Sequence, residues 1–159
     1  MNKYVILTDT RQQKESHIIK QFDLHRIEHI QTKLDSADYM VLRYDDEKGF
    51  YKDYTTLIDT KKNLLEICGN LCQTAEHNRL IREIERGQYL GCKNFIFLIG
   101  ENNIKSLDDI KNWRSPYTKI NGARLLKVMN TFQEHHNCKF IIVPRKDLGK
   151  RIIDIFNNK

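Results

Sequence analysis

Short apolar runs alternate along the chain with longer stretches in which apolar and polar positions follow a helical period. Runs rich in β-branched and aromatic residues predict strands at five places, namely 3–9, 37–44, 53–59, 93–100 and 138–144. The run KNFIFLIG (93–100) is almost wholly apolar, as is typical of a strand inside a mixed or parallel sheet. Several strands of one sheet are therefore expected.

Helical spacing of apolar residues fills most of the segments between these runs. It predicts helices over 15–31, 63–86, about 119–136, and from about 147 onward. The segment 63–86 has the clearest pattern, and Gly87 follows at its expected end. The resulting order β-α-β-β-α-β-α-β-α predicts an α/β sandwich with a mixed sheet.

Length and composition favour one globular domain over residues 1–159. Hydrophobic residues make up 40% of the 159 positions, which is enough for a single core. No apolar run approaches the roughly 18 residues that a membrane span needs, and the first residues do not resemble a secretory signal. We expect a cytoplasmic protein without membrane contact. The run GARLLKVM lacks the spacing of a phosphate-binding loop, and no small-molecule cofactor is expected.

Cysteine spacing argues against a zinc site, and the net charge bears on the kind of molecule that the protein binds. The four cysteines include no CxxC pair, so buried reduced thiols are expected rather than a zinc site. The net charge is +6 and the pI is about 9.1, with the positive charge spread along the chain. This excess suits a polyanion such as DNA but does not by itself establish one.

Two acids and a lysine are predicted to meet at one end of a hairpin. The runs 37–44 and 53–59 are joined by a charged, glycine-containing turn, and a turn centred near Lys48–Gly49 makes opposite positions sum to about 97. Asp38 then lies opposite Asp59, and Lys61 points to the same face.

Two carboxylates that close repel each other unless something neutralises them. A divalent cation such as Mg²⁺ or Mn²⁺ does so while keeping positions for water and phosphate oxygen. Lys61 would then orient the attacking water or stabilise charge on the phosphoryl group. The alternative is a charged hairpin end held by an ordinary Asp–Lys contact.

Four sequence blocks occur in a fixed order along the chain. They are VILTDTRQQK (5–14), SADYMV (36–41), LIDTKK (57–62) and HNRLIREIE (77–85). In this order they resemble the D-x-R-E, G-D-Y and E-R-K blocks and the arginine-containing helix of the ERCC4-type nuclease domain. This is the nuclease of the XPF/MUS81-like endonucleases in the PD-(D/E)xK superfamily.

The resemblance implies a restriction-endonuclease-like sandwich, with a central mixed sheet flanked by helices. It also implies a metal-dependent DNA endonuclease that hydrolyses phosphodiester bonds in branched or structured DNA. The chain looks like the small stand-alone forms found in phages and mobile elements, which would act in a bacterial cytoplasm. A homodimer is plausible by analogy with the family.

The same resemblance assigns roles to individual residues. It implies that Asp38 and Asp59 bind the catalytic Mg²⁺ or Mn²⁺ and that Lys61 is the catalytic lysine. Three further residues are implied to lie near the metal or the scissile phosphate: Asp9, Arg11 and Arg79.

The blocks also depart from the family pattern. Gln12 stands where the family has Glu, Ala37 replaces a Gly, and Asp59 replaces a Glu. A non-catalytic DNA-binding or scaffold protein on a decayed nuclease fold is therefore one alternative. A Holliday-junction resolvase or restriction-like nuclease on the same core is another.

A few further side chains have both a functional and a structural interpretation. His77 is a candidate general base or a surface histidine, whereas His135 and His136 are interpreted as structural residues at a helix end. Trp113 and Tyr117 would either stack on unpaired bases or anchor a loop, and the packed anchor is favoured.

Overall fold

A six-stranded mixed sheet forms the centre of the molecule in the computed structural model, which describes residues 3–11 and 16–158. The strands are β1 (Tyr4–Asp9), β2 (His29–Thr32), β3 (Tyr39–Asp45), β4 (Gly49–Lys61), β5 (Asn94–Gly100) and β6 (Cys138–Val143). Their order in space is β2-β1-β3-β4-β5-β6. Strand β3 runs antiparallel to both of its neighbours, and the other pairings are parallel. The predicted α/β sandwich with a mixed sheet is confirmed.

Within the described ranges, five α-helices cover the two faces of this sheet. They are α1 (Ser16–Leu24), α2 (Leu64–Cys72), α3 (Thr74–Tyr89), α4 (Gly122–His135) and α5 (Leu148–Asn157). Helices α2, α3 and α4 share one apolar cluster with one face, whereas α1 and α5 pack on the other. In the described part of the chain, no helix has the length and apolar character required to cross a membrane.

The predicted helix over 15–31 is wrong beyond Leu24. Arg26 adopts a left-handed φ of 57°, and the Arg26 and Ile27 amides donate to the carbonyls of Asp23 and Phe22 at 3.1 and 2.8 Å. This pair of hydrogen bonds closes a helix end. The chain then enters β2, which pairs in parallel with β1 along the sheet edge.

The predicted helix over 63–86 is divided into α2 and α3 at Gln73, whose φ of −101° and ψ of 127° are extended. The Gln73 amide still donates to the Gly69 carbonyl at 3.1 Å. His77 Nδ1 donates to the Leu71 carbonyl at 2.9 Å. The end of α2 is thus satisfied by a side chain from α3, which compensates for the broken ladder.

The hairpin between β3 and β4 has two registers. Near the turn Asp45 pairs with Gly49, which places the centre at about position 47 instead of the predicted Lys48–Gly49. An irregularity between Tyr39 and Val41 then shifts the ladder, and Tyr39 pairs with Ile58. This last pairing is the predicted one, so the wrong turn position and the shift compensate at the far end of the hairpin.

Trp113 anchors the long connection between β5 and α4. Its side chain is buried in the cluster under α2–α4, and it follows a short 3₁₀ turn, Asp108–Asn112. This burial fits the packed-anchor interpretation of Trp113, whereas Tyr117 is 83% exposed.

The cysteines carry no disulfide. Cys68 and Cys92 are buried as expected, but Cys72 is exposed and Cys138 is half-buried, so the prediction of uniformly buried thiols is wrong for these two. Cys72 is exposed because it is the last residue of α2.

Candidate active site

Three acids meet at one end of the inner strands because β3 runs antiparallel to β1 and β4. The carboxyl ends of β1 and β4 and the amino end of β3 therefore lie side by side. The Asp9 amide donates to the Asp38 carbonyl at 2.9 Å, and the Asp38 amide donates to the Ile58 carbonyl at 3.0 Å. Since Asp59 follows Ile58, the structure brings Asp9, Asp38 and Asp59 together.

Asp9 and Asp59 also share one face of the sheet. Strand side chains alternate, so Asp9 lies on the side of Leu7, and Asp59 lies on the side of Leu57. Both leucines belong to the apolar cluster under α2, α3 and α4. The acidic face is therefore the one that α3 covers.

Asp38 is fastened to β4 through its carboxylate. Its Oδ2 accepts hydrogen bonds from the Thr60 amide at 2.9 Å and from the Thr60 hydroxyl at 3.3 Å. Thr60 stands between Asp59 and Lys61 in the chain. These bonds hold the Asp38 carboxylate beside the functional end of β4.

Asp59 and Lys61 form a buried charge pair. Lys61 Nζ lies 3.3 Å from Asp59 Oδ2, and their side chains are only 11% and 7% exposed. The geometry of this pair leaves Oδ2 without a hydrogen bond from any described residue. A buried carboxylate oxygen in that state has capacity for a further positive partner.

The surrounding acids keep Lys61 charged. Burial alone would lower the pKa of Lys61, but the negative charges of Asp59, Glu66 and Asp38 outweigh burial and raise it. The ammonium also lies 5.9 Å from the centre of the Phe97 ring. Lys61 is therefore a fixed cation at neutral pH.

Both carboxylate oxygens of Asp9 accept hydrogen bonds, and one of these bonds positions Arg11. Asp9 Oδ1 accepts the Leu34 amide at 2.9 Å, and Oδ2 accepts Arg11 Nε at 2.6 Å. The hydrogen bond that Arg11 donates to Asp9 is the main cause that raises the pKa of Arg11, followed by the charge of Asp9, with smaller contributions from Glu83 and Asp38. The Arg11 side chain is 68% exposed, so its guanidinium is held near the acids yet reaches solvent.

Glu83 on α3 completes the acidic cluster, and the sequence interpretation missed it. Burial raises the pKa of Glu83 to about 7, and the negative charge of Asp59 acts in the same direction. The signal was present in the spacing, because Leu80, Ile84 and Gly87 are buried on the face of α3 that includes position 83. A carboxylate inside an apolar helical stripe needs a reason to be there.

Glu83 also fixes the loop before Asp38. Its Oε1 accepts the Ala37 amide at 3.0 Å, and its carbonyl accepts the Ser36 hydroxyl at 3.0 Å. Ala37 has a left-handed φ of 64°, a conformation that costs a residue with a Cβ roughly 1–2 kcal/mol. Glu83 thus helps to hold a strained residue directly beside Asp38.

Two of the sequence candidates lie apart from these contacts. Arg79 is 66% exposed and forms an ion pair with Glu76 at 2.6 Å, one turn before Glu83 on α3. His77 bonds the Leu71 carbonyl instead of facing the acids. Gln12, the altered position of the first block, lies outside the described residues.

Replacing Glu83 with glutamine should stabilise the metal-free protein at pH 8. Burial raises the pKa of this carboxyl to about 7 from its ordinary value of 4.5, so the folded protein binds the proton more tightly. The wild type should lose stability as pH rises from about 4.5 through 7, by up to about 3 kcal/mol. Glutamine keeps an acceptor for Ala37 without the charge.

Urea denaturation in EDTA at pH 5 and pH 8 measures this difference, with the exposed Glu85→Gln as the control on the same helix. The gain for Glu83→Gln should be present at pH 8 and small at pH 5. An equal difference at both pH values would contradict the assigned burial and repulsion.

Comparison with protein-family models gives a match to the ERCC4 domain over residues 8–153. Comparison with curated proteins gives no match.

Solved structures of similar fold include XPF from Aeropyrum pernix, with a TM-score of 0.65 and 10% sequence identity. That match covers 95% of this chain and 62% of the other. XPF from the same organism in complex with DNA gives a TM-score of 0.62 and 11% identity, over 96% of this chain and 62% of that one. The chain thus spans about three-fifths of the length of these XPF chains, and at such identities the likeness shows a shared fold.

Proposed function

Because the chain belongs to the ERCC4 domain family, we propose that it is a metal-dependent DNA endonuclease that hydrolyses phosphodiester bonds. The observation that carries this proposal is the acidic cluster of Asp38, Asp59 and Glu83 beside Lys61, in which Asp59 is buried. The fold alone would not suffice, because one fold hosts many activities.

The side chains of the cluster fit a hard divalent cation. Asp59 Oδ2 is buried without a hydrogen bond, and the negative charge of Asp59 adds to burial in raising the pKa of Glu83. In the described part of the chain, no group of three His, Cys, Asp or Glu side chains is already arranged around one metal position. Mg²⁺ suits such a site because it is held by one or two carboxylates and keeps several waters.

Asp38 and Asp59 would hold Mg²⁺ or Mn²⁺, and Glu83 would assist them. A bound ion of this kind activates water and polarises a phosphoryl oxygen. Lys61 would stabilise negative charge that develops on the phosphoryl group. Arg11 would bind a phosphate, because its guanidinium is anchored by Asp9 and still exposed.

Arg79 is the least supported member of the proposed set. Its reach to a phosphate would require the guanidinium to exchange Glu76 for DNA. Exposed ion pairs of this type contribute roughly 0–1 kcal/mol, so the exchange costs little.

DNA as the substrate is supported by charge and by a structural neighbour. The net charge is +6, and one of the similar XPF structures was solved in complex with DNA. We propose branched or structured DNA as the preferred form and a homodimer as the assembly, both by analogy with the family.

An Mg²⁺-dependent cleavage assay on duplex, splayed-arm and four-way-junction DNA tests the proposal. We expect cleavage with Mg²⁺ or Mn²⁺, none in EDTA, and higher rates on a branched substrate than on the duplex. Binding without cleavage under any divalent ion would instead identify a DNA-binding or scaffold protein. Selective cleavage of the four-way junction would indicate a resolvase.

A further inference from the structure

A groove of about 470 Å³ lies between the start of α3 and one side of α4. We name it the histidine groove; the side chains that define it are His77, Arg124, Lys127, Phe132, His135 and His136. His77 precedes Glu83 by six residues on α3, which is about 9 Å along the axis and about 120° around it. The groove is therefore separate from the acidic cluster but shares a helix with it.

The floor of the groove is aromatic. The Phe132 ring is only 3% exposed and lies 4.6 Å from the His136 ring and 5.4 Å from the His77 ring, between ring centres. Because Phe132 is buried, the half-buried His77 and His136 rings that pack against it form the accessible part of this aromatic floor. Such rings offer faces and edges to another planar group.

The rim of the groove is cationic. Arg124 and Lys127 stand on α4, one turn apart, and both are exposed. None of the described residues that line the groove is acidic. Glu85 acts on His136 through its charge without belonging to the lining.

His136 contributes ring surface to the groove more than charge. Burial lowers the pKa of His136, and the nearby His77 and His135 lower it further, so the uncharged ring is favoured.

We propose that the histidine groove binds one nucleotide of a single-stranded DNA segment, with the phosphate at Arg124 and Lys127 and the base against the aromatic floor. Single-strand sites combine cationic tracks with stacking surfaces in this way. The inference rests on the proposed function in taking DNA as the partner. It adds where on the molecule a single-stranded segment of that substrate would bind.

Fluorescence anisotropy in EDTA tests the groove without cleavage. The probes are a labelled 20-nucleotide oligo(dT), an abasic strand of equal length, and a duplex of equal length. The groove variant is Arg124→Gln/Lys127→Gln, and the matched control is Lys20→Gln/Arg151→Gln, which removes the same charges from exposed positions on α1 and α5. Thermal melting confirms that each variant is folded.

The groove variant should bind oligo(dT) at least about tenfold more weakly than the wild type and the control. The slope of log affinity against log salt should fall by roughly 0.7, the value expected for the loss of one phosphate contact. The wild type should prefer oligo(dT) over the abasic strand by about fivefold or more, and His136→Ala should reduce this preference.

Three outcomes would overturn the assignment. The groove and control variants could bind oligo(dT) equally, or the groove variant could lose duplex and single-strand affinity by the same factor. Thymidine 5′-monophosphate could also displace the strand as efficiently, per nucleotide, as unlabelled oligo(dT), which would identify free nucleotide as the occupant.

This test separates the groove from the nuclease proposal. A wild type that never cleaves yet shows groove-dependent binding would contradict the nuclease alone. A wild type that cleaves with Mg²⁺, while its groove variant binds single strands normally, would contradict the groove alone.

Discussion

Asp59→Asn should lower DNA cleavage by about 10³-fold or more, equivalent to about 4 kcal/mol of transition-state stabilisation. The substitution keeps the shape of the side chain and removes the charge of an oxygen that is buried without a hydrogen bond. Asp38→Asn should have a similar effect, because Asp38 Oδ2 is fixed against Thr60 at the same end of β4. Single-turnover cleavage with saturating Mg²⁺ measures both.

The control for these variants is Asp46→Asn, an exposed turn residue at the other end of the hairpin. It should cleave like the wild type. Binding of each variant to DNA in EDTA should also be retained. Cleavage by Asp59→Asn within tenfold of the wild type would remove the basis for the proposed metal site.

Lys61→Met should lower the cleavage rate by about 10²–10³-fold. Methionine preserves an unbranched apolar stem in a position that is only 11% exposed, but it removes the cation that stands 3.3 Å from Asp59 Oδ2. Affinity for Mg²⁺ should not fall, because a positive charge next to the ligands has been removed. The rate and the Mg²⁺ dependence of cleavage, taken together, check both parts.

Lys62→Met is the matched control for Lys61, since Lys62 is the exposed neighbour. It should affect cleavage by less than about threefold. If Lys61→Met weakened Mg²⁺ binding while leaving the rate at saturation unchanged, Lys61 would have a structural role in place of the proposed one.

The sheet was predictable because its strands carry their own signal. The run from Phe95 to Ile99 is apolar throughout and became a buried strand between two parallel neighbours. The helix boundaries were less predictable, because the backbone leaves the helical conformation at Arg26 and Gln73 although neither position is a proline or a glycine. Their hydrogen bonds come from backbone and side-chain groups that a periodic pattern does not reveal.

The neighbourhood of Asp38 and Asp59 was predictable from pairing, but Glu83 was not assigned. A hairpin brings its own two strands together, so arithmetic along the chain reaches Asp38 and Asp59. Glu83 arrives on a helix whose placement depends on packing between distant parts of the chain. The position of Arg11 likewise depends on Asp9, whose second oxygen is held by the Leu34 amide.

The two registers of the β3–β4 hairpin make the pairing near the acids independent of the pairing near the turn. Because the ladder changes step between Tyr39 and Val41, a residue gained or lost near Asp45–Gly49 can be absorbed at that irregularity, and Tyr39 can stay opposite Ile58. The outer half of the hairpin can therefore change in length or sequence without changing the alignment of the strands beside Asp38 and Asp59. We expect sequence variation to be tolerated near the turn more readily than at Tyr39 and Ile58.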